Sequence, residues 1–194
     1  MPDDDRWLVI GLGNPGPSYT GHRHNVGAMV VDLLAQRAGG RFKSFRGRAD
    51  VLEGRLGGPG GPRAVLAKPR AYMNESGGPV AALTQFFRLG PDRLVVVHDE
   101  LDLPFGSLRV KCGGGDNGHN GLKSVRRSLG TGEWFRVRVG IGRPPGRMDP
   151  ADYVLQDFSG AERKVLGVEI ENAADAVESL IRDGLDTTQT RHNS

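Results

Sequence analysis

The chain is predicted to be an α/β protein: one domain over residues 1–194, a sandwich of a twisted mixed sheet flanked by helices on both faces. Three observations carry that expectation. Strand-like apolar runs alternate with helix-spaced ones along most of the length. The run Leu94-Val95-Val96-Val97 is almost purely β-branched, as in a strand buried on both sides. A length of 194 residues suits a single core, and neither an internal repeat nor a linker divides it. Short polar tails are expected at 1–6 and 187–194.

The elements follow in order. Trp7-Leu8-Val9-Ile10 ends at Gly11, a strand that stops in a turn. Val26, Met29, Val30, Leu33 and Leu34 recur at helical spacing across Asn25–Ala38, and Gly39-Gly40 ends the run. Val51–Leu56 and Ala64–Lys68 read as a strand pair joined by the turn GGPGGP. Pro79–Leu89 reads as a helix with proline in its first turn. Gly121–Leu129 is a short helix, Phe135–Ile141 a strand, and Ala161–Arg182 a closing helix built on Val165, Val168, Ala173, Val177, Leu180 and Ile181.

Composition narrows the class. No apolar run approaches the roughly 20 residues of a membrane span, and Met-Pro-Asp-Asp-Asp-Arg lacks the basic-then-apolar pattern of a signal peptide, so a cytoplasmic protein is expected. The single cysteine, Cys112, leaves no disulfide framework and no cysteine-rich zinc site. A net charge of +3 hides an asymmetry. Residues 41–70 carry eight bases against two acids, residues 103–147 nine against two, and residues 148–186 ten acids against three bases. The basic middle points to an anionic partner. Few aromatics lie among these bases, so a duplex backbone fits better than stacked single strands.

Three strings hold the chemistry: GLGNPGPSYTGHRHNVG, LVVVHDELDLPFG and GGGDNGHNGLKS. Each sets an imidazole, a carboxylate or an amide where a strand or glycine-rich turn ends, the usual way a fold carries polar groups to a cleft. The first contains G-x-G-x-x-G, but Pro15 has no N–H and Pro17 follows before any helix begins. A dinucleotide site, which needs N–H groups of a helix starting inside the motif, is therefore disfavoured. Asn14 could form the tight turn or face a substrate. His24, just before a helix, is expected to be kept neutral by the helix dipole and to serve as a base. His22 is its decoy. Asp99 ends the most central strand and could orient His24, with Glu100 and Asp102 as alternatives. A zinc site from His22, His24, His98, Asp99 and His119 is conceivable, although no HExxH or cysteine spacing supports it. Asn120 could cap the helix it enters or turn into the cleft. Met73 could be core and Asn74 a turn residue. Lys111 and Arg138 could be solvated or could bracket a phosphate.

GNPG followed by RHNVG, YMNESG, HDELDLP and NGHNGLKS, in that order, resembles the bacterial peptidyl-tRNA hydrolases from about Leu8 to near Ala174. The resemblance implies an esterase that frees tRNA from an N-acylated amino acid or peptide, with no cofactor and no metal. It places Asn14, His24 and Asp99 at the catalytic centre and chooses His24 over His22. Tyr19, Tyr72, Asn74, His119 and Asn120 become substrate contacts, Asn74 toward the peptidyl backbone. Lys111 and Arg138 become contacts to the tRNA 5′ phosphate. The implied partner is the acceptor end of peptidyl-tRNA, met by a single copy of the chain away from any membrane. Asp116-Asn117 departs from the less acidic pair many members carry, which could retune the glycine-rich loop. Two rivals of other classes remain open: a catalytically silent RNA-binding module, and a metal-dependent hydrolase.

Overall fold

Leu8 and Ile10 alternate with Val9 along β1 (Trp7–Gly11), and all three are fully buried, so this strand must be covered on both faces. The computed structural model, which describes residues 5–193, supplies that cover. After a 3₁₀ turn at Arg23–Asn25 comes α1 (Val26–Ala38), then β2 (Lys43–Phe45), β3 (Ala49–Arg55) and β4 (Arg63–Pro69). Next are α2 (Gly77–Phe87), β5 (Leu94–Glu100), β6 (Leu108–Cys112), α3 (Asn120–Leu129) and β7 (Phe135–Gly140). The chain closes with α4 (Pro150–Val154), α5 (Gly160–Asp183) and α6 (Leu185–His192).

The seven strands form one mixed sheet in the order β2-β3-β4-β1-β5-β7-β6. β4, β1, β5 and β7 run parallel, with Leu8 opposite Val65 on one side and Leu94 on the other. β2 and β3 extend the sheet antiparallel at one edge, and β6 does so at the other. One face packs Val9, Val95 and Val97 under α1 and α5; the other packs Leu8, Ile10 and Val96 under α2 and α3. The parallel strands therefore point their carboxyl ends at one common edge, where sites in such folds collect.

Local sequence explains most boundaries. Val26, Val30, Val31 and Leu34 line one face of α1, and Gly39 stops the helix in the left-handed region at φ 73°. Gly27 is required by packing: a Cβ there would lie 2.1 Å from the Val97 carbonyl oxygen, so α1 crosses β5 at near backbone contact. Ser159 and Glu162 form a reciprocal capping box that starts α5.

Three expectations are corrected. Val165 and Val168 are 47% and 60% exposed, because the stripe of α5 that packs on the core runs instead through Leu166, Ile170, Ala173 and Val177. The supposed tail at 187–194 is largely α6: Thr188 is buried and shares a hydrogen bond with Ser179 (2.9 Å). Asn193 accepts from the Val110 N–H at 2.7 Å, and Gln189 donates to the Val110 carbonyl at 3.1 Å. The C-terminal segment thus satisfies backbone groups on the open edge of β6. Of the tail expected at 1–6, residues 1–4 lie outside the described residues, while Arg6 stacks on Phe87. The reading also assigned no strand to β6, whose Leu108 and Val110 are buried on alternate positions. No helix among the described residues is long and apolar enough to cross a membrane.

Ending the chain at Gly184 is therefore expected to lower the melting temperature and expose the β6 edge to self-association. Thermal unfolding and size-exclusion chromatography measure this; an unchanged melting temperature and elution volume would show that α6 contributes nothing to the sheet.

Candidate active site

β5 is buried along its whole length, including the three polar residues at its carboxyl end, His98, Asp99 and Glu100. A buried carboxylate is tolerable only if it is paired. Asp99 is paired twice. His24, in the 3₁₀ turn that enters α1, places Nδ1 2.8 Å from Asp99 Oδ2. His119, arriving from the glycine-rich loop, places Nε2 2.8 Å from Asp99 Oδ1.

The remaining nitrogen of each imidazole decides what each residue can do. His119 Nδ1 accepts the backbone N–H groups of Gly121 (3.1 Å) and Leu122 (3.3 Å), so His119 is the N-cap of α3. With Nδ1 accepting, its proton must sit on Nε2 and be donated to Asp99. Both nitrogens of His119 are thereby spent inside the protein. The same bonds answer the question of the cap: Asn120 is the first residue of the helix, exposed rather than capping. His24 is the opposite case. Donation from Nδ1 to the ionised Asp99 leaves Nε2 as a bare lone pair.

Electrostatics agree with this assignment. Burial works against the charge on Asp99, yet the neighbouring His24 and His119 outweigh it and hold the carboxyl well below the usual range, so it stays ionised. For His24, burial acts to lower the imidazole pKa, but the charge and hydrogen bond of Asp99 win and raise it above its ordinary value. The dipole-lowered pKa expected from the helix start is thus corrected: the carboxylate at 2.8 Å outweighs partial charges at a helix end. His98 differs from both. Burial, with the nearby His119, pushes it down to about 3 and keeps it neutral, with Nδ1–H donating to the Asp99 carbonyl at 2.8 Å.

Asn14 lies beyond the end of β1, and its orientation is set by two neighbours. Its Oδ1 accepts the Met73 N–H at 2.7 Å, which leaves its NH₂ group as the outward donor. Asn25 brackets the Asn14 backbone, accepting from its N–H at 3.0 Å and donating to its carbonyl at 2.9 Å. Asn25 was read only as the start of a helix; its place beside His24 in RHN was the signal available. Met73 is buried, and Asn74 is exposed in the turn that follows. Tyr72 is 55% exposed and meets Tyr19 edge-on at 6.1 Å, an aromatic wall next to Asn14. His22, the decoy, is partly covered and lies against Asp157, with Nε2 4.0 Å from Oδ1, outside the array.

A cavity of about 120 Å³ is lined by His24, Asp99, Asn117, His119 and Asn120. On the side of β7, Arg138 donates through Nε (3.0 Å) and Nη2 (2.9 Å) to Glu100 Oε1, which also accepts from Asn117 (3.0 Å). Arg138 is therefore an oriented cation, not a free one. Glu100 belongs to it, and Asp102 to Arg143, so neither alternative carboxylate reaches His24. Lys111 has its pKa lowered by burial and by the charges of Arg138 and Arg136, a crowding of positive charge that favours an anion nearby. Arg136 stacks on Trp134 at 4.6 Å and donates to the carbonyls of Gly114, Gly115 and Gly132, tying down the glycine-rich loop.

Among the described residues, His24, Asp99 and His119 also form a group whose ligand atoms lie within 4.8 Å of one another. A metal would need these atoms about 2 Å from a common centre. Here each imidazole has its own carboxylate oxygen as partner, and His119 Nδ1 faces the backbone of α3. The constellation is a hydrogen-bonded His–Asp–His array with one basic nitrogen left over.

The description "Peptidyl-tRNA hydrolase" belongs to the family model that matches residues 8–194. A protein of that name from Frankia alni is 64% identical over 99% of this chain and 96% of its own length. One from Streptomyces coelicolor is 58% identical over 97% and 95%. The crystal structure of peptidyl-tRNA hydrolase from Acinetobacter baumannii superposes with a TM-score of 0.90 at 30% identity, covering 100% of this chain and 97% of that one. With its fold, its motifs and nearly its whole length matched, the chain belongs to the peptidyl-tRNA hydrolase family, which cleaves the ester bond of peptidyl-tRNA and releases the tRNA.

Proposed function

We propose that His24 is the general base of this ester hydrolysis and that Asp99 orients it and stabilises its cation. The observation that carries the reading is the 2.8 Å contact from His24 Nδ1 to Asp99, which leaves Nε2 free for a proton. Nε2 takes a proton from water as the water oxygen attacks the ester carbonyl carbon. The carbonyl electrons move onto oxygen, and the Asn14 NH₂ group, held in place by Met73 and Asn25, donates to that oxyanion or to the attacking water. On collapse the carbon–oxygen bond to ribose breaks, and the imidazolium returns its proton to the departing ribose oxygen. Proton transfer of this kind supplies about 10²–10⁴-fold, and positioning supplies much of the remainder. No step uses a metal.

Asn74 and Asn120, both exposed, would hold the amides of the peptide, with Tyr19 and Tyr72 forming the wall beside them. Asn120 would act as the alternative oxyanion donor. His119 enters as the residue that positions Asp99. Lys111 and the oriented Arg138 would grip the terminal phosphate at the acceptor end of the tRNA, an assignment supported by the concentration of positive charge at that end. We assign the chain to action as a monomer, since its one array contains both base and orienter, and to the cytoplasm, where the peptidyl-tRNA of translation is found.

His24→Ala is expected to reduce turnover by about 10²–10⁴-fold while leaving tRNA affinity and fold intact. His22→Ala is the control and should be nearly silent, because His22 pairs with Asp157 outside the array. A turnover assay on purified peptidyl-tRNA decides; more than a tenth of wild-type turnover in His24→Ala would remove it as the base.

The pH profile tests the dyad. Nε2 acts only when bare, so kcat/KM should rise with pH through the His24 titration, with a midpoint above the ordinary 6.5. In Asp99→Asn the raising influence is gone and burial remains, so the midpoint should move down while kcat falls strongly. A midpoint that stays where it was would show that Asp99 does not tune His24.

Lys111→Ala should raise KM for peptidyl-tRNA and reduce the slope of its salt dependence by about one. It should spare a substrate that ends in an acylated nucleotide without the phosphate. Arg138→Ala should do the same, although it also strips Glu100 of its ion pair, which makes Lys111 the cleaner probe. Equal losses on both substrates would mean that these side chains support the reacting centre rather than the phosphate.

A further inference from the structure

Arg23, the residue before His24, is only 6% exposed, and the hydrolysis proposed for His24 leaves it without a task. A charge at that depth is costly unless it is paired and hydrogen-bonded. Its Nη2 donates to Glu162 Oε1 at 2.9 Å, and its Nη1 donates to the Tyr153 carbonyl at 3.3 Å. The guanidinium carbon lies 4.0 Å from the centre of the Tyr153 ring and 5.8 Å from that of Phe158. The backbone joins in: the Arg23 N–H donates to the Gln156 carbonyl at 2.9 Å, and His22 forms an isolated bridge with Asp157.

All of these partners belong to the stretch from α4 to the start of α5. Tyr153 is in α4, whose Pro150, Ala151 and Val154 line the same cavity as His24. With five residues, α4 is too short to sustain a helix by itself, so tertiary contacts must fix it. The carbonyl that Arg23 reaches lies in its last turn, where a cation is favoured. The Tyr153 hydroxyl donates to the Ile141 carbonyl at 2.9 Å, just beyond β7. Glu162 sits in the capping box that opens α5, and the oxygen that takes Arg23 also accepts the Ser159 N–H at 2.8 Å. Burial works against its charge, but the hydrogen bonds from Ser159 and Arg23 win and hold the carboxyl below its ordinary range.

A buried ion pair contributes little net stability, because desolvation offsets its attraction. What a planar guanidinium supplies is direction. Two nitrogens aimed at two acceptors admit one placement of the chain, where a flexible ammonium admits many. The placement fixed by Arg23 is that of the 3₁₀ turn Arg23–Asn25, one residue from the imidazole. His24 is thus held from two sides, by Asp99 from β5 and, through Arg23, by the corner between α4 and α5.

We propose that Arg23 is a positioning residue for the hydrolysis: it anchors the His24 turn to the corner between α4 and α5 and so keeps His24 Nδ1 on the Asp99 carboxylate. The proposal rests on the reading of His24 as base and Asp99 as its orienter, and adds the residue that keeps the two in register. Arg23 reaches the chemistry only through His24. The groups that face this imidazole are Asp99 from β5 and His119 from the entry of α3, the two rings 4.8 Å apart. Glu100, in the same cavity, is tied to Arg138, and α4 brings only Pro150, Ala151 and Val154 there.

The test compares wild type with Arg23→Met, which keeps an unbranched stem beside Tyr153 and removes both side-chain hydrogen bonds. On peptidyl-tRNA, kcat is expected to fall about tenfold while KM stays within about twofold. The midpoint of the rise of kcat/KM with pH should move down, because a loosened contact with Asp99 leaves burial to dominate at His24. In an Asp99→Asn background the same substitution should cost less than about twofold, since the contact it acts through is already lost. Arg23→Lys, which keeps the charge but not the fork, should recover part of both kcat and the midpoint. Loss of folded enzyme would lower the apparent kcat and leave the midpoint in place. An unchanged midpoint in Arg23→Met, or an equal loss in both backgrounds, would therefore overturn the proposal. Should Arg23→Met not fold, Arg23→Lys is read in the same way, a lowered midpoint supporting the proposal and an unchanged one overturning it. If Asp99→Asn itself leaves the midpoint unmoved, the dyad falls and the proposal with it; a responsive dyad with unresponsive Arg23 variants overturns the proposal alone.

Discussion

The Asp99 carboxylate, buried at the end of β5 and accepting one imidazole on each oxygen, is the constraint around which the rest of the molecule is arranged. Several kcal/mol of desolvation accompany an ion at such depth unless its lone pairs are answered. The answers come from far along the chain in both directions, His24 from the entry of α1 and His119 from the entry of α3. Meeting that demand ties three segments to one atom group. α1 must approach β5 closely, which Gly27 permits by having no side chain against the Val97 carbonyl. α3 must begin where His119 can cap its first N–H groups with one nitrogen and reach Asp99 with the other. A requirement of polar satisfaction thereby fixes the array, and of the two imidazoles that hold Asp99 it is His24 that keeps a nitrogen, Nε2, outside it.

Around that centre the sheet edge is electrostatically graded. At β7, Glu100 gathers Arg138 and Asn117, and Arg136 threads its guanidinium among the carbonyls of the glycine-rich loop. These contacts fasten the glycine-rich segment through polar bonds. They also leave the region rich in cations, with Lys111 beside two guanidinium groups. At β4 the charges are paired and cancel.

Asn117 shows how the glycine-rich loop is fastened locally. It adopts a left-handed backbone conformation at φ 50°, which asparagine tolerates better than most residues. From there its amide donates to Glu100, a hydrogen bond that fastens the loop.

Sequence alone determined the alternation of strands and helices, the buried character of β5 and the placement of Asn14, His24 and Asp99 at the ends of elements. These are local properties, written in the period of apolar residues and in the glycines and prolines that end each run. What only the tertiary structure decided depends on partners that the sequence does not place side by side. His24 and Asp99 are 75 positions apart, and their contact reversed the direction of the His24 pKa shift expected from the helix start alone. The tautomer of His119 is set by the backbone of α3 on Nδ1 and the carboxylate of Asp99 on Nε2, neither of which is legible in the local sequence. α6 carries no apolar stripe in LDTTQTRH, so its fold could not be read locally; it is held by polar bonds to Ser179 and to the edge of β6. A side chain's titration, tautomer and free valence are settled by whatever packs against it, and that information resides in the fold.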